Sequence, residues 1–223
     1  TCCPMPAPDR IVELVERFDY NRDSYRSTDY KEAQLRQEFI NPFFAELGWD
    51  VYNTKGYDER YKDVVHEASL IVEGAPRAPD YSFRIGGVRK FLVETKKPSV
   101  AVKTDLAPAF QLRRYAWSAK LALSILTDFE EFAVYDCRVR PHKGDKASTA
   151  RTLYLNYEQY PERWDEIAGL FSREAILKGA FDRYAEATKT KRGPIPQGPC
   201  RLIPGNCRLG WRTGVLSSNC KPL

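Results

Sequence analysis

The 223-residue sequence is 43% hydrophobic, enough for one sizeable core or for one core with a small appendage. No apolar run reaches the roughly 20 residues of a membrane span, and the N-terminus lacks a basic segment followed by an apolar one, so a soluble cytoplasmic protein is expected. A net charge of +5 permits a nucleic-acid partner without requiring one; the six cysteines show no zinc spacing, and with only two histidines a metal site would use oxygen ligands.

Residues 1–8, "TCCPMPAP", have no periodicity and read as an unstructured N-terminal remnant. From Asp9, a good N-cap, "DRIVELVERF" places Ile11, Val12, Leu14, Val15 and Phe18 near one face of an amphipathic helix. A polar, tyrosine-rich stretch, "DYNRDSYRSTDY", leads into a second helix, "KEAQLRQEFINPFFAELGW". There Leu35, Phe39, Phe43, Phe44 and Leu47 are spaced for burial, Pro42 bends or restarts the helix, and Gly48 ends it. "ASLIVEG", "DYSFRIGG" and "RKFLVETK" read as three strands, the last two joined by a Gly86-Gly87 hairpin turn. A helix from about Asp105 to Lys120 follows, then the strands "LALSILTDF" and "EFAVYDCRV". The order predicts an α/β fold, a mixed central sheet flanked by helices, over residues 9–160. Residues 161–188 read as a helical connector, and 189–223, rich in Gly, Pro and Cys, as an irregular or disordered tail.

The chemistry concentrates on the hairpin. Asp80 precedes its first strand, and Glu94, Thr95 and Lys96 end its second. A tight hairpin brings these positions side by side, and strand alternation puts Glu94 and Lys96 on one face with Thr95 opposite. "FLV" before them is apolar throughout, as in a strand buried on both faces, so the charges emerge where the core stops. Two carboxylates suit a hard divalent cation, and a neighbouring lysine suits charge stabilisation or positioning of an attacking water. A bare D…ExK also arises by chance at strand ends, where it makes a surface salt bridge.

With Pro79, Asp80, Glu94, Thr95 and Lys96, the pattern resembles the PD-(D/E)xK nuclease family. Four blocks in order, "RQEFINPFFAELGWD", "APDYSF", "FLVETKKPS" and "QLRRYAWSAKLALSILTDFEEFAVYD", resemble the N-terminal nuclease domain of type IIG restriction-modification enzymes, and the related domain of type I restriction motor subunits. This resemblance, over Arg36 to Asp136, implies a restriction-endonuclease-like core hydrolysing double-stranded DNA with Mg²⁺, or Mn²⁺ in its place, to leave a 5′-phosphate and a 3′-hydroxyl. It implies Mg²⁺ held by Asp80, Glu94 and the Thr95 carbonyl, and Lys96 acting on the water. Glu38 would be the helical glutamate that completes such sites, and Gln111 with Tyr115 a Q-x-x-x-Y element. Gln111, Arg113 and Arg114 suit contacts to the DNA backbone, and Lys97 a phosphate contact. The resemblance further implies methyltransferase and target-recognition domains outside these residues and a transient homodimer on DNA. A non-catalytic DNA-binding or assembly module on the same scaffold, and a nuclease of this fold acting on RNA or branched DNA, are the alternatives. "NPFF" lacks the glycine-rich loop of a methyltransferase, "HKGDK" reads as a loop, and Gly86-Gly87 as a turn.

Overall fold

The computed structural model describes residues 6–189. Helix α1 (Asp9–Tyr20) buries Ile11, Leu14 and Phe18, the i, i+3, i+7 stripe, while Val12 and Val15 lie at its margin. Asp9 is the first helical residue and not the cap; Pro8 stands in the cap position, and the Asp9 carboxylate faces the positive end of the helix dipole. A short helix α2 (Arg22–Tyr25) interrupts the tyrosine-rich stretch. The expected second helix comes in three pieces, α3 (Glu32–Leu35), a wide π-type turn (Arg36–Ile40) and α4 (Asn41–Glu46). Pro42 has no N–H to give the Glu38 carbonyl four residues back, and the Arg17 guanidinium of α1 donates to that carbonyl instead. Leu35, Phe39, Phe43, Phe44 and Leu47 are all buried, and Gly48, at φ +84°, turns the chain out of the helix.

Strands β1 (Val64–His66), β2 (Leu70–Val72), β3 (Ala75–Arg77), β4 (Tyr81–Ile85) and β5 (Val88–Thr95) follow. Helix α5 (Leu106–Ser118), capped by the Asp105 carboxylate on the Ala107 N–H, leads to β6 (Leu123–Thr127), β7 (Glu131–Asp136) and β8 (Arg151–Asn156). The central sheet has six strands in the order β1-β4-β5-β6-β7-β8, with β5 and β6 its parallel pair across the α5 crossover. This mixed sheet between helices is the α/β arrangement expected and is consistent with a restriction-endonuclease-like fold. The "ASLIVEG" strand, however, lies outside the central sheet, where β2 pairs with β3 in a separate ribbon. The Gly86-Gly87 turn has φ of +56° and +79°, and a Cβ at Gly87 would come within 2.9 Å of the Arg60 carbonyl oxygen. Glycine there satisfies both the turn and the close approach.

The sheet has a core on each side. Phe91 and Val93 point into the larger one, with α1 and α4, while Leu92 points into the smaller one, with α5 and the β2-β3 ribbon. Helices α6 (Trp164–Phe171), α7 (Arg173–Leu177) and α8 (Ala180–Lys189) pack on the larger core rather than standing off as a connector. The Trp49 indole N–H donates to the Phe171 carbonyl at 2.8 Å, and Arg173 pairs with buried Asp63 at 2.9 Å. Among the described residues no helix is long and apolar enough to cross a membrane. The expected tail, 189–223, with Cys200, Cys207 and Cys220, lies outside the described residues except for Lys189, which ends α8, and so do residues 1–5 with Cys2 and Cys3.

Candidate active site

The hairpin register sets Tyr81 opposite Val93, which places Asp80 beside the end of β5. Asp80 Oδ2 accepts from the Thr95 N–H and from the Thr95 hydroxyl, both at 2.7 Å, and Oδ1 lies 3.4 Å from the Arg36 guanidinium. Next to it, the Tyr81 hydroxyl donates to buried Asn41 at 2.7 Å, pinning the start of β4 to α4. The "NPFF" asparagine is thus a core anchor.

Alternation in β5 sends Glu94 and Lys96 to the α5 side and Thr95 to the other. Glu94 is 3% exposed, and its Oε1 accepts from Lys96 Nζ at 3.2 Å and from the Gln111 side-chain amide of α5. Its other oxygen, Oε2, is buried with no hydrogen-bond partner among the described residues. Burial, and then the nearby Asp80 carboxylate, push the Glu94 carboxyl up to about 7, against the opposing pull of Lys96. Burial acts to lower the Lys96 ammonium, yet Glu94, Glu32 and Asp80 together outweigh it and raise the group above its ordinary value. Lys96 is therefore an ammonium at neutral pH. Its backbone N–H continues the parallel ladder to the Thr127 carbonyl at 3.1 Å, which holds the residue at the carboxyl end of β5 beside β6.

Two further charged groups that the sequence reading missed belong here. Glu32, at the start of α3, reaches within 3.5 Å of the Thr95 hydroxyl, and burial and Asp80 raise its carboxyl. Arg36, one turn on, faces Asp80 and also Glu67 at 3.8 Å. Their i, i+4 spacing was the available signal. Glu38, the glutamate expected in this role, is elsewhere. The π-type turn carries it toward α1, where its charge acts on the Tyr25 and Tyr30 phenols, and no hydrogen bond or ion pair links it to Asp80, Glu94 or Lys96.

Of the α5 residues, Gln111 joins the site through Glu94, whereas Tyr115 is 9% exposed in the smaller core. Arg114 pairs with Glu73 of the turn between β2 and β3. Arg113 does not solvate a helix face; it is 1% exposed and bound to Asp145 at 2.7 Å. Asp145 also accepts the His142 N–H, so the "HKGDK" loop serves to cover Arg113. Lys97 is half-buried at the start of the loop that follows β5.

No group of three or more His, Cys, Asp and Glu side chains is drawn together as a metal cage among the described residues. A cation here would rest on Asp80 and Glu94 with main-chain oxygen and water, a donor set that suits Mg²⁺. The partnerless Glu94 Oε2, in a carboxyl already disfavoured as an isolated anion, fits such a ligand.

No family model and no solved structure matches the chain. Among curated proteins, the type II restriction enzyme and methyltransferase RM.Eco57I of Escherichia coli is 37% identical over 180 residues, 80% of this chain and 18% of that protein. The chain therefore spans about a fifth of the length of the relative it matches. It is a restriction-enzyme-related domain, similar over most of its length to one segment of a type II restriction enzyme and methyltransferase.

Proposed function

We propose that the chain is a Mg²⁺-dependent endodeoxyribonuclease domain of the PD-(D/E)xK type, from a type IIG-like restriction-modification enzyme acting on cytoplasmic duplex DNA. The observation that carries the reading is the convergence of Asp80, the half-satisfied buried Glu94 and the Lys96 ammonium at one strand end. Asp80, Glu94 and the Thr95 carbonyl would hold Mg²⁺, which supplies Lewis acidity toward the scissile phosphate when bound. Mn²⁺ is the expected substitute.

The rest of the chemistry belongs to the chain's own groups. Thr95 and Arg36 fix the Asp80 carboxylate through three hydrogen bonds, so it meets its ligand without reorganising. Gln111 and Lys96 fix Glu94. Lys96, charged and anchored at its own N–H, can orient the attacking water and stabilise the negative charge that builds on the phosphate. Glu32 stands where a helical carboxylate could accept the proton of that water through a bridging solvent molecule, while the Lys96 ammonium holds the developing hydroxide. Target recognition and methylation would fall to segments outside these residues, since the chain matches only 18% of the longer relative, and two copies would meet on DNA to cut both strands.

The test is cleavage of supercoiled plasmid by the purified chain with Mg²⁺, with Ca²⁺ and with chelator, alongside Lys96→Ala and Asp80→Ala. Nicking or linearisation is expected with Mg²⁺ alone, falling by at least about 100-fold in either variant. Undiminished cleavage by Lys96→Ala would sink the site. An inert wild type that also binds no Mg²⁺ would support the scaffold reading, in which Asp80 merely ties Thr95 to the hairpin.

A further inference from the structure

The nuclease reading makes no use of the buried carboxylate Glu130. Glu130, in the turn between β6 and β7, is 2% exposed and yet carries two arginines. Arg22 of α2 donates from Nε and Nη2 to Oε1 at 3.0 and 2.7 Å. Arg26, directly after α2, donates from Nε to Oε2 at 2.7 Å and from Nη2 to Oε1 at 2.6 Å. One guanidinium fork would satisfy a carboxylate; the second leaves the Glu130 cluster itself with a surplus positive charge, offset in part at Arg22 by the Glu158 carboxylate. Both arginine side chains remain 39% and 48% exposed, and the Nη1 group of each makes no hydrogen bond among the described residues.

These donors line a groove of about 480 Å³ whose other wall is residues 98–101. That wall begins two residues after Lys96. The opposite wall continues from the end of β6, where the Thr127 carbonyl accepts the Lys96 N–H. Groove and candidate active site therefore open at the same end of the parallel β5-β6 pair. Glu131, also on the groove, is turned to the Tyr154 hydroxyl and the Lys103 N–H. Its charge is thus partly spent within the fold.

We propose that Arg22 and Arg26, held in place by Glu130, form a clamp for a phosphodiester of the DNA strand flanking the one at Lys96. This rests on the nuclease reading for the identity of the polyanion, and the arginines act as positioning residues. A guanidinium already locked on a buried carboxylate loses little side-chain freedom on meeting a phosphate, and its planar face of free N–H groups matches phosphate oxygens. The contact carries no base information, so it adds affinity and register without sequence preference.

The experiment is fluorescence anisotropy of a labelled duplex of arbitrary sequence with the whole chain in Ca²⁺, across about 50 to 200 mM salt. Arg22→Ala and Arg26→Ala should each weaken binding about 3- to 10-fold and lower the slope of log Kd against log salt by about one. Each keeps the other arginine on Glu130, and Arg22→Met/Arg26→Met/Glu130→Gln removes the buried charge with its partners, so that lost folding cannot imitate lost binding. Arg163→Ala, in the exposed pair with Glu166, should bind as wild type. Unchanged affinity and slope in the groove variants, or no binding by the wild type, overturns the clamp. A wild type that binds through the arginines but neither cleaves nor binds Mg²⁺ leaves the clamp standing and removes the nuclease reading, whereas cleavage that is indifferent to both arginines removes the clamp alone.

Discussion

Glu32 and Glu38 lie six positions apart on one helical segment, and only the first reaches the hairpin. Had the helix run regularly from Lys31 to Leu47, its phase would be readable; the π-type turn before Pro42 shifts it, and Arg17 fixes the shift by taking the Glu38 carbonyl. Glu32→Gln should slow plasmid nicking about 10-fold or more, as loss of a carboxylate supporting Lys96 requires. Glu38→Gln should stay within about twofold of wild type, since such surface changes are usually small. Equal losses in the two variants would return Glu38 to the site. The hairpin residues were legible for the opposite reason. A two-residue glycine turn and an apolar strand bring Asp80 to the end of β5, but the residue-level register does not follow from counting, because a bulge between Phe83 and Arg84 shifts it by one and sets Tyr81, not Asp80, opposite Val93. Gln111 was legible only through the resemblance, as part of a Q-x-x-x-Y element, while the burial of Tyr115 and Arg113 depends on the β2-β3 ribbon and the 142–145 loop, which no local pattern announces.

At the level of elements, the strands that escaped sequence reading are β1 and β3, with three residues each, and β8, which buries only Leu155. Edge strands need little apolar pattern, because their partner strand supplies the ladder. The interior strands β6 and β7 are buried nearly throughout and were plain. The turn between them holds two buried carboxylates treated differently. Glu130 has its arginines, whereas Asp128 accepts the Glu131 N–H through Oδ1 and leaves Oδ2 buried with no hydrogen-bond partner among the described residues. Burial raises the Asp128 carboxyl well above its ordinary value. A carboxyl whose folded pKa exceeds its unfolded value of about 3.9 costs nothing below that pH and progressively more as pH rises toward the folded value. Asp128→Asn keeps the turn's acceptor and removes the charge. It should therefore raise Tm at pH 8 by about 2 to 4 °C, corresponding to about 1 kcal/mol, and the gain should shrink toward pH 4. Melting curves across that range check the sign; a gain that grows on acidification would contradict it.

On the scale of the whole molecule, the question is what closes the larger core. The sheet, α1 and α4 leave Phe91 and Trp49 facing the C-terminal helices, and Phe171 covers them, with its ring 5.2 Å from Phe91 and its carbonyl on the Trp49 indole. Behind it Phe181 stacks edge-on at 5.5 Å, and Arg173 satisfies Asp63, a buried carboxylate that would otherwise stand with Lys55 at 4.0 Å. A chain ending at Tyr160 would open Trp49, Phe91 and Phe132 to water and leave Asp63 short of its main partner, so it should lose cooperative unfolding altogether. Within the full chain, Phe171→Ala should cost about 3 to 5 kcal/mol, a large share of the 5 to 15 kcal/mol that typically holds a domain together. Urea denaturation would show this as a lower midpoint at nearly unchanged slope. Because the candidate active site lies at the carboxyl end of β5, with Glu94 and Lys96 on the α5 face away from Phe171, Phe171→Ala that still folds at low temperature should nick plasmid at close to the wild-type rate there. A loss of cleavage out of proportion to the folded fraction would mean that the two cores are coupled through β5, whose alternate residues enter both.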